Sequence, residues 1–517
     1  MRNVFSSLLI IGVFVTLSHG ARILVVSALG SHSHFILGFR LAKELADRGH
    51  QVTFINSFPQ KEPIKNLRDI SVEEVRHVLT QKRKSIYEIS KWTYLSQISF
   101  TAHVGNSYTE KVLQVKEVQE LLHSDEHFDL VLINNFFYEP MAIFQYKFKC
   151  PMIILAPGPT TIFSNHLFAN PSQPAYVPNL LTSFGSEMTL WERIINVYYD
   201  TAGELFVHFV NIPRQNEILQ RIVPGAPNLR DILYNASFML LVSHVSLRDP
   251  SPLQPNVKEI GGYHLLPPKP LPKDLQQFLD NATEGVLFFS MGSVLKSTDC
   301  PEEKLKIIIK VFSKLKQKVL WKYEDDLPEK PENVKIVSWL PQQDVLGHPN
   351  VIAFISHGGL LGKIEAVYHG VPMLGLPVFW DQMKNCRESF RHGIALTIPF
   401  RQLTEENFYR ALNELINNPK YRDNAKMRSR IMRDQPLKQI DEAMFWIEYV
   451  IRHKGAPHYR SPALNLKWYQ RLLLDVILAV GVAAALVLAI IFCTLRTIIR
   501  SINRRVLRKI KVGQKLD

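Results

Sequence analysis

The stretch ILVVSALGSHSHFILGFRLAKELADRGHQVTFI, residues 23–55, decides the fold. Residues 23–26 are a short β-branched and apolar run, the composition of a buried strand. After SALGSHSH, apolar residues recur at helical spacing (Ile36, Phe39, Leu41, Leu45) and the pattern stops at Gly49. Residues 52–55 are strand-like again. Strand, loop, helix and strand in that order imply a parallel pair joined by a right-handed crossover. Further strand-like runs follow at 129–133, 152–156 and 238–242. Residues 60–127 are more polar, helical in pattern, and suggest no chemistry.

Seven prolines between Pro250 and Pro272 form the densest cluster in the chain and read as a linker, because proline fixes φ and removes a donor. A second strand series then appears at 286–290, 319–323, 334–337, 351–355 and 371–376. The expected fold class is α/β, with two Rossmann-like doubly wound domains facing each other across a cleft.

With 46% hydrophobic and 21% charged residues among 517, the composition excludes disordered, collagen-like and disulfide-scaffold classes. The net charge of +14 raises nucleic acid or an acidic membrane as a partner. Its location argues otherwise. Residues 496–517 hold Arg496, Arg500, Arg504, Arg505, Arg508, Lys509, Lys511 and Lys515 against Asp517 alone, so half the net charge sits in one tail. Immediately before it, residues 476–495 carry no charge, enough for a helix of about 30 Å across a bilayer. Residues 1–20 have Arg2, an apolar stretch too short to span, and Ser18 and Gly20 before Ala21, the pattern of a secretory signal.

Basic residues beside a span remain cytosolic, so residues 21–471 are expected in the lumen or outside the cell. The sequons at Asn235 and Asn281 are usable in that topology. No run interleaves basic and aromatic residues, so no nucleic-acid partner is expected. Cys150, Cys300 and Cys386 outside the span make no disulfide framework, and one pair stays open.

The chemistry is concentrated in SWLPQQDVLGHPNVIAFISHGGLLGKIEAVYHGVPMLGLPVFWDQMKN, which begins at Ser338. A strand there runs into His357-Gly358-Gly359 with a helix following. Glycines at such a turn let backbone N–H groups approach an anion at the helix N-terminus. Gly358 to Lys363 imitates a P-loop, but the spacing is one residue short and Ile364 stands where Ser or Thr must hold magnesium, which excludes an NTPase.

Trp339, Gln342, His348, His357-Gly358-Gly359, Glu365, Gly370-Val371-Pro372, Pro377 and Asp381-Gln382 resemble the donor-site signature of UDP-glycosyltransferases. The likeness extends to NASFMLLVSH, PNVKEIGG and FFSMGS, and to WIEYVIRHKGAPHYRSP near the C-terminus. With a signal segment in front and a span behind, the whole chain resembles animal membrane-bound UDP-glucuronosyl- or UDP-glucosyltransferases, nearest the insect type. The resemblance implies a GT-B fold and a UDP-sugar donor. Trp339 would stack on uracil with Gln342 nearby, and Glu365 would accept from the ribose hydroxyls. His357, Ser293 and the backbone around Gly358 and Gly362 would hold the diphosphate, and Asp381 and Gln382 the sugar hydroxyls. Two departures stand out. Gly362 and Lys363 replace Ser or Thr, with Lys363 open to either phosphate or solvent, and Trp380 stands where Gly is common.

Transfer of a sugar to a hydroxyl needs a base and stabilisation of the leaving diphosphate. No Asp-x-Asp occurs, so no metal or other cofactor is expected. The base candidates are His32 and His34, at the carboxyl edge of the first strand, and the resemblance favours His34. The acid that usually pairs with that histidine is replaced by Asn134, which can orient imidazole but cannot stabilise imidazolium by charge. Asn134 suffices, Glu139 substitutes, or the chain is a weak or inactive member that binds UDP-sugar or lipophile without turnover.

The resulting expectation is an inverting UDP-glycosyltransferase that conjugates glucose or glucuronic acid to small lipophilic acceptors. It would be a single-pass type I protein of the endoplasmic reticulum membrane, with homo-oligomerisation open. Expected boundaries are a signal at 1–20, an acceptor domain at 21–245, a linker at 246–273 and a donor domain at 274–435. Helices at 436–471, a span at 472–495 and a cytosolic tail at 496–517 complete the chain.

Overall fold

The computed structural model describes residues 20–80, 87, 92–327 and 329–513, so the expected signal, save Gly20, and the last four tail residues lie outside the described residues. Two compact units divide between Arg460 and Ser461.

The first unit contains two parallel sheets. One has seven strands: β1 (Arg22–Ser27), β2 (Gln51–Asn56), β3 (Leu67–Ser71), β4 (Leu130–Asn134), β5 (Met152–Ala156), β6 (Phe238–Leu241) and β7 (Val257–Glu259), in the order β3-β2-β1-β4-β5-β6-β7. The other has six: β8 (Val286–Ser290), β9 (Lys318–Lys322), β10 (Val334–Val337), β11 (Val351–Ser356), β12 (Met373–Gly375) and β13 (Ala395–Thr397), in the order β10-β9-β8-β11-β12-β13. Strand order reverses between β1 and β4 and again between β8 and β11. Loops leaving the carboxyl ends of those strands diverge to opposite faces and open a crevice at each switch point.

The strands are apolar because both faces of each sheet are covered. In β1 the alternation is visible: Leu24 and Val26 join one core cluster with Val131 and Ile133, while Ile23 and Val25 join another with Leu130 and Leu132. The second cluster continues into the other sheet through Val286, Phe288 and Phe354. One apolar core therefore serves both halves.

Helices that matter for the site are α1 (His32–Asp47), α2 (Tyr94–Gln114), α3 (Ile212–Ile222), α4 (Gln342–Leu346), α5 (Leu360–His369), α6 (Gln382–Arg391) and α7 (Gln439–Arg452). Short β3, β7 and β13 were not foreseen, because none shows a long apolar run. β7 lies inside the proline-rich stretch, between Pro255 and Pro267, and pairs with β6 as an edge strand, the place where flanking prolines cost no ladder bond. The stretch is anchored further by the Arg248–Glu259 ion pair at 2.6 Å and by Tyr263, whose hydroxyl donates to the Leu37 carbonyl at 2.8 Å. The exposed Asn235 and Asn281 carry the two sequons, and all four cysteines are unpaired.

Helix α7 crosses back to the first half of the chain. Its Ala443, Met444, Ile447 and Val450 enter the shared core. Trp446 stacks on Phe238 with ring centroids 5.4 Å apart, and Asp441 pairs with Arg48 of the α1 C-cap at 2.5 Å. The second unit contains α8 (Leu474–Gly513), a helix of 40 residues whose portion Leu474–Leu507 is long and apolar enough to cross a membrane. The helix continues through the basic residues after 495 without a break.

Ile447 is fully buried, and Ile447→Ala should cost about 2–5 kcal/mol in urea unfolding. A loss below about 1 kcal/mol would show that α7 does not close the core.

Candidate functional site

Residues at both switch points line one cavity of about 610 Å³. From the first half come His32, His34, Asn135, Phe136, Phe137 and Glu139; from the second come Ser293, Trp339, Gln342, His357, Gly362, Glu365, Asp381 and Gln382. Two residues expected at the site, Asn134 and Gly358, do not line it.

His34 sits in the first turn of α1. Its Nδ1 lies 2.7 Å from the hydroxyl of Ser31, the α1 N-cap residue, and its buried Nε2 has no protein partner. Burial pulls its pKa down to about 4, because the charged form loses its water. Asn134, at the end of β4, is fully buried. Its Nδ2 donates to the His34 backbone carbonyl and to the Ser27 hydroxyl, both at 2.9 Å, and Ser27 donates to the same carbonyl at 3.1 Å. Asn134 thus anchors the first turn of α1 and leaves the imidazole to Ser31. The position requires a donor, which an ionised aspartate cannot be.

Ser31 was missed in the sequence, although a serine three residues before a helix-borne histidine is the available signal. Glu139 is buried with its carboxyl pushed up by desolvation, and Gln215 of α3 donates to it at 2.5 Å. His32 turns the other way, its ring 4.8 Å from that of Trp339 in an edge contact.

On the second half, Trp339 is 54% exposed, so it is no core residue. Gln342 of α4 donates to Glu365 of α5 at 2.5 Å, and burial raises the Glu365 carboxyl to about 7. His357 follows β11, with Nδ1 unpartnered and its pKa drawn down to about 4 by burial and by Lys322. Glycine is obligatory beside it: Gly292 has φ +86°, and a Cβ there would lie 2.6 Å from His357 Cε1. Gly358 has φ +81° and offers its carbonyl to Asn385 at 3.0 Å, while a Cβ would collide with Cys386 Sγ. Its role lies in turning the chain rather than in facing the cavity.

Burial raises Asp381 to about 6, against the Asn385 amide that donates to it at 2.7 Å. Gln382 spends its carbonyl on the N–H groups of Val378 and Phe379, at 2.9 and 3.1 Å, which leaves its amide nitrogen for a ligand. Lys363 neither lines the cavity nor reaches solvent. It is buried and paired with Glu388 of α6 at 2.8 Å. Lys322, at the end of β9, lines the cavity; its Nζ donates to the Gly292 carbonyl at 3.0 Å and pairs with Glu324 at 2.7 Å. Among the described residues no group of three His, Cys, Asp or Glu is placed to hold a metal.

Lys363→Met should therefore cost about 3–5 kcal/mol of stability, since it leaves Glu388 uncompensated. UDP affinity of the folded fraction, measured by calorimetry, should be unchanged. A selective loss of affinity at undiminished stability would return Lys363 to the phosphate.

A family model described as UDP-glucoronosyl and UDP-glucosyl transferase matches residues 21–512. UDP-glucosyltransferase 2 of Dactylopius coccus is 35% identical over 474 residues, covering 91% of this chain and 92% of that one. UDP-glucuronosyltransferase 2B33 of Macaca mulatta is 32% identical over 467 residues, covering 86% and 87%. Among solved structures, UDP-glucose: anthocyanidin 3-O-glucosyltransferase in complex with UDP matches with a TM-score of 0.56 at 17% identity, covering 84% of this chain and 99% of its own. That likeness shows the GT-B fold. The two facing parallel sheets are those of that fold, and the chain belongs to the UDP-glucuronosyl and UDP-glucosyl transferase family.

Proposed function

We propose that the protein is an inverting transferase that moves a hexose from UDP to a hydroxyl of a small lipophilic acceptor, with His34 as the base. The observation that carries this reading is the single cavity lined by His34 from one half and by Glu365, Asp381 and Gln382 from the other. With Nδ1–H donating to Ser31, Nε2 keeps its lone pair and accepts the acceptor proton. The acceptor oxygen attacks the anomeric carbon as the bond to the β-phosphate oxygen breaks, and UDP departs. Trp339 stacks on uracil, Gln342 and Glu365 bind the uridine, and Asp381 with the Gln382 amide holds the sugar hydroxyls. His357, Ser293 and backbone N–H groups at the start of α5, around Gly362, receive the diphosphate, where the helix dipole favours negative charge.

Glucose suits the site better than glucuronic acid. Among the described residues lining the cavity, only Lys269 and Lys322 carry a fixed positive charge, and Lys322 is paired with Glu324. A glucuronate carboxylate beside Asp381 would meet like charge in a dry site. On this reading the catalytic part lies in the lumen of the endoplasmic reticulum; its orientation is supported by the basic residues that follow the apolar portion of α8.

The test is UDP release by the full chain in detergent with UDP-glucose or UDP-glucuronate over a panel of phenols and alcohols. His34→Ala should reduce turnover by about 10²–10⁴-fold. Undiminished turnover in that variant would remove His34 from the mechanism. No turnover by wild type with any acceptor would leave a binding protein. Asn134→Asp should lower activity, since it replaces a donor to the His34 carbonyl with a charge; a gain would show that the ring recruits the acid.

The pH dependence separates the two halves of the site. His34 stays neutral, and able to accept a proton, above about pH 4. Glu365 gains a proton as pH falls through about 7. The KM for UDP-sugar should therefore rise between pH 8 and 6 in wild type and rise less in Glu365→Gln, where Asp381, raised to about 6, still titrates. Parallel profiles in the two proteins would dissociate Glu365 from the donor.

A further inference from the structure

Two large side chains, one from each half, hold a backbone conformation that bulky residues rarely adopt. Phe137, three residues past β4, has φ +55°, and Trp380, two residues before α6, has φ +56°. Their rings meet across the cleft, 6.1 Å apart at 68°, and both line the cavity. Each strained turn is pinned from outside. The Phe137 carbonyl accepts from Gln215 at 2.8 Å, and the backbone there lies so close to Gly105 of α2 that a Cβ would be 2.9 Å from the Phe137 carbonyl carbon. The Trp380 turn is held by the Gln382 carbonyl, which accepts from the N–H groups of Val378 and Phe379. Strain that the surroundings enforce on both sides of one cavity points to a function for the two rings.

The rings do not stand alone. Trp380 stacks on Phe163 at 6.4 Å and 21°, and meets Phe136 edge-on at 6.4 Å. Phe136 in turn lies 5.1 Å from the His34 ring. An aromatic wall thus runs from the base to the residue next to Asp381. We infer that the Phe137–Trp380 pair, with Phe136 and Phe163, forms the acceptor compartment and selects planar aromatic hydroxyl compounds over aliphatic alcohols. This rests on the transferase reading for the identity of the ligand.

Edge and face contacts with aromatic rings reward a flat π-system and give a saturated ring of like volume nothing beyond burial. The chemistry runs the same way. A phenol, with a pKa near 10, gives its proton to a weak base such as His34 far more readily than an aliphatic alcohol does.

The test is equilibrium binding to the full chain in detergent micelles, by calorimetry, with 1-naphthol and its saturated counterpart decahydro-1-naphthol, of like volume, as probes and UDP as control. Wild type should bind 1-naphthol more tightly than decahydro-1-naphthol. Trp380→Gly, which suits the left-handed backbone and removes the ring, should weaken 1-naphthol by about tenfold more than it weakens the saturated probe and leave UDP within about twofold. Trp380→Phe should retain most of the preference. Should Trp380→Gly fail to fold, Trp380→Asn, which also tolerates the left-handed backbone and carries no ring, has the same expectation. Equal losses for both probes, or 1-naphthol affinity unchanged in the ring-less variant, would overturn the assignment, as would a wild type with no preference. Because binding is read rather than turnover, a protein that prefers 1-naphthol but never releases UDP would sink the transferase reading and leave this one standing.

Discussion

The apolar core that runs from Ile23 and Val25 through Val286 and Phe354 to Met444 and Ile447 fixes the geometry on which everything else depends. The cavity in this architecture is split: His34 comes from the half built on one sheet, and Glu365, Asp381 and Gln382 from the half built on the other. Neither sheet can place its residues usefully unless the two carboxyl edges stay in register across the cleft. Burial shared between the halves does this, and α7 closes it by returning to the half of the chain farthest from it in sequence. Polar ties reinforce the same arrangement, including Lys384 donating to the Pro178 carbonyl at 2.9 Å and Arg391 to Asp249 at 2.6 Å.

Within that frame, dryness sets the protonation states. The same desolvation lowers His34 and His357 and raises Glu365 and Asp381, so the cavity tends toward neutral side chains. On the proposed mechanism a neutral imidazole suits a base, and Ser31 rather than a carboxylate meets its Nδ1. Lys322, one of the two lysines that line the cavity, sits beside the Gly292 turn and the Trp339 ring.

Much of the fold was legible in the sequence. Ten strand-like runs coincide with strands to within a residue or two, since parallel strands buried on both faces read as continuous apolar stretches. Of the residues expected to hold the donor, all but Gly358 line one cavity, so their gathering was legible in their fixed spacing. What escaped were the short strands β3, β7 and β13, which lack such runs, and the attachment of α7, whose partners Phe238 and Arg48 lie hundreds of positions away.

Residue type and spacing therefore determined the two-sheet class, the switch-point turns and the identity of most groups that face the cleft. Only the tertiary structure decided which way those groups turn. Asn134 spends its amide on a backbone carbonyl, Lys363 is neutralised by Glu388, and Gly358 bends the chain rather than facing the cavity. Two strained aromatics, Phe137 and Trp380, meet across the cleft. These outcomes depend on partners far apart in sequence and on burial, and a local pattern of residues contains neither.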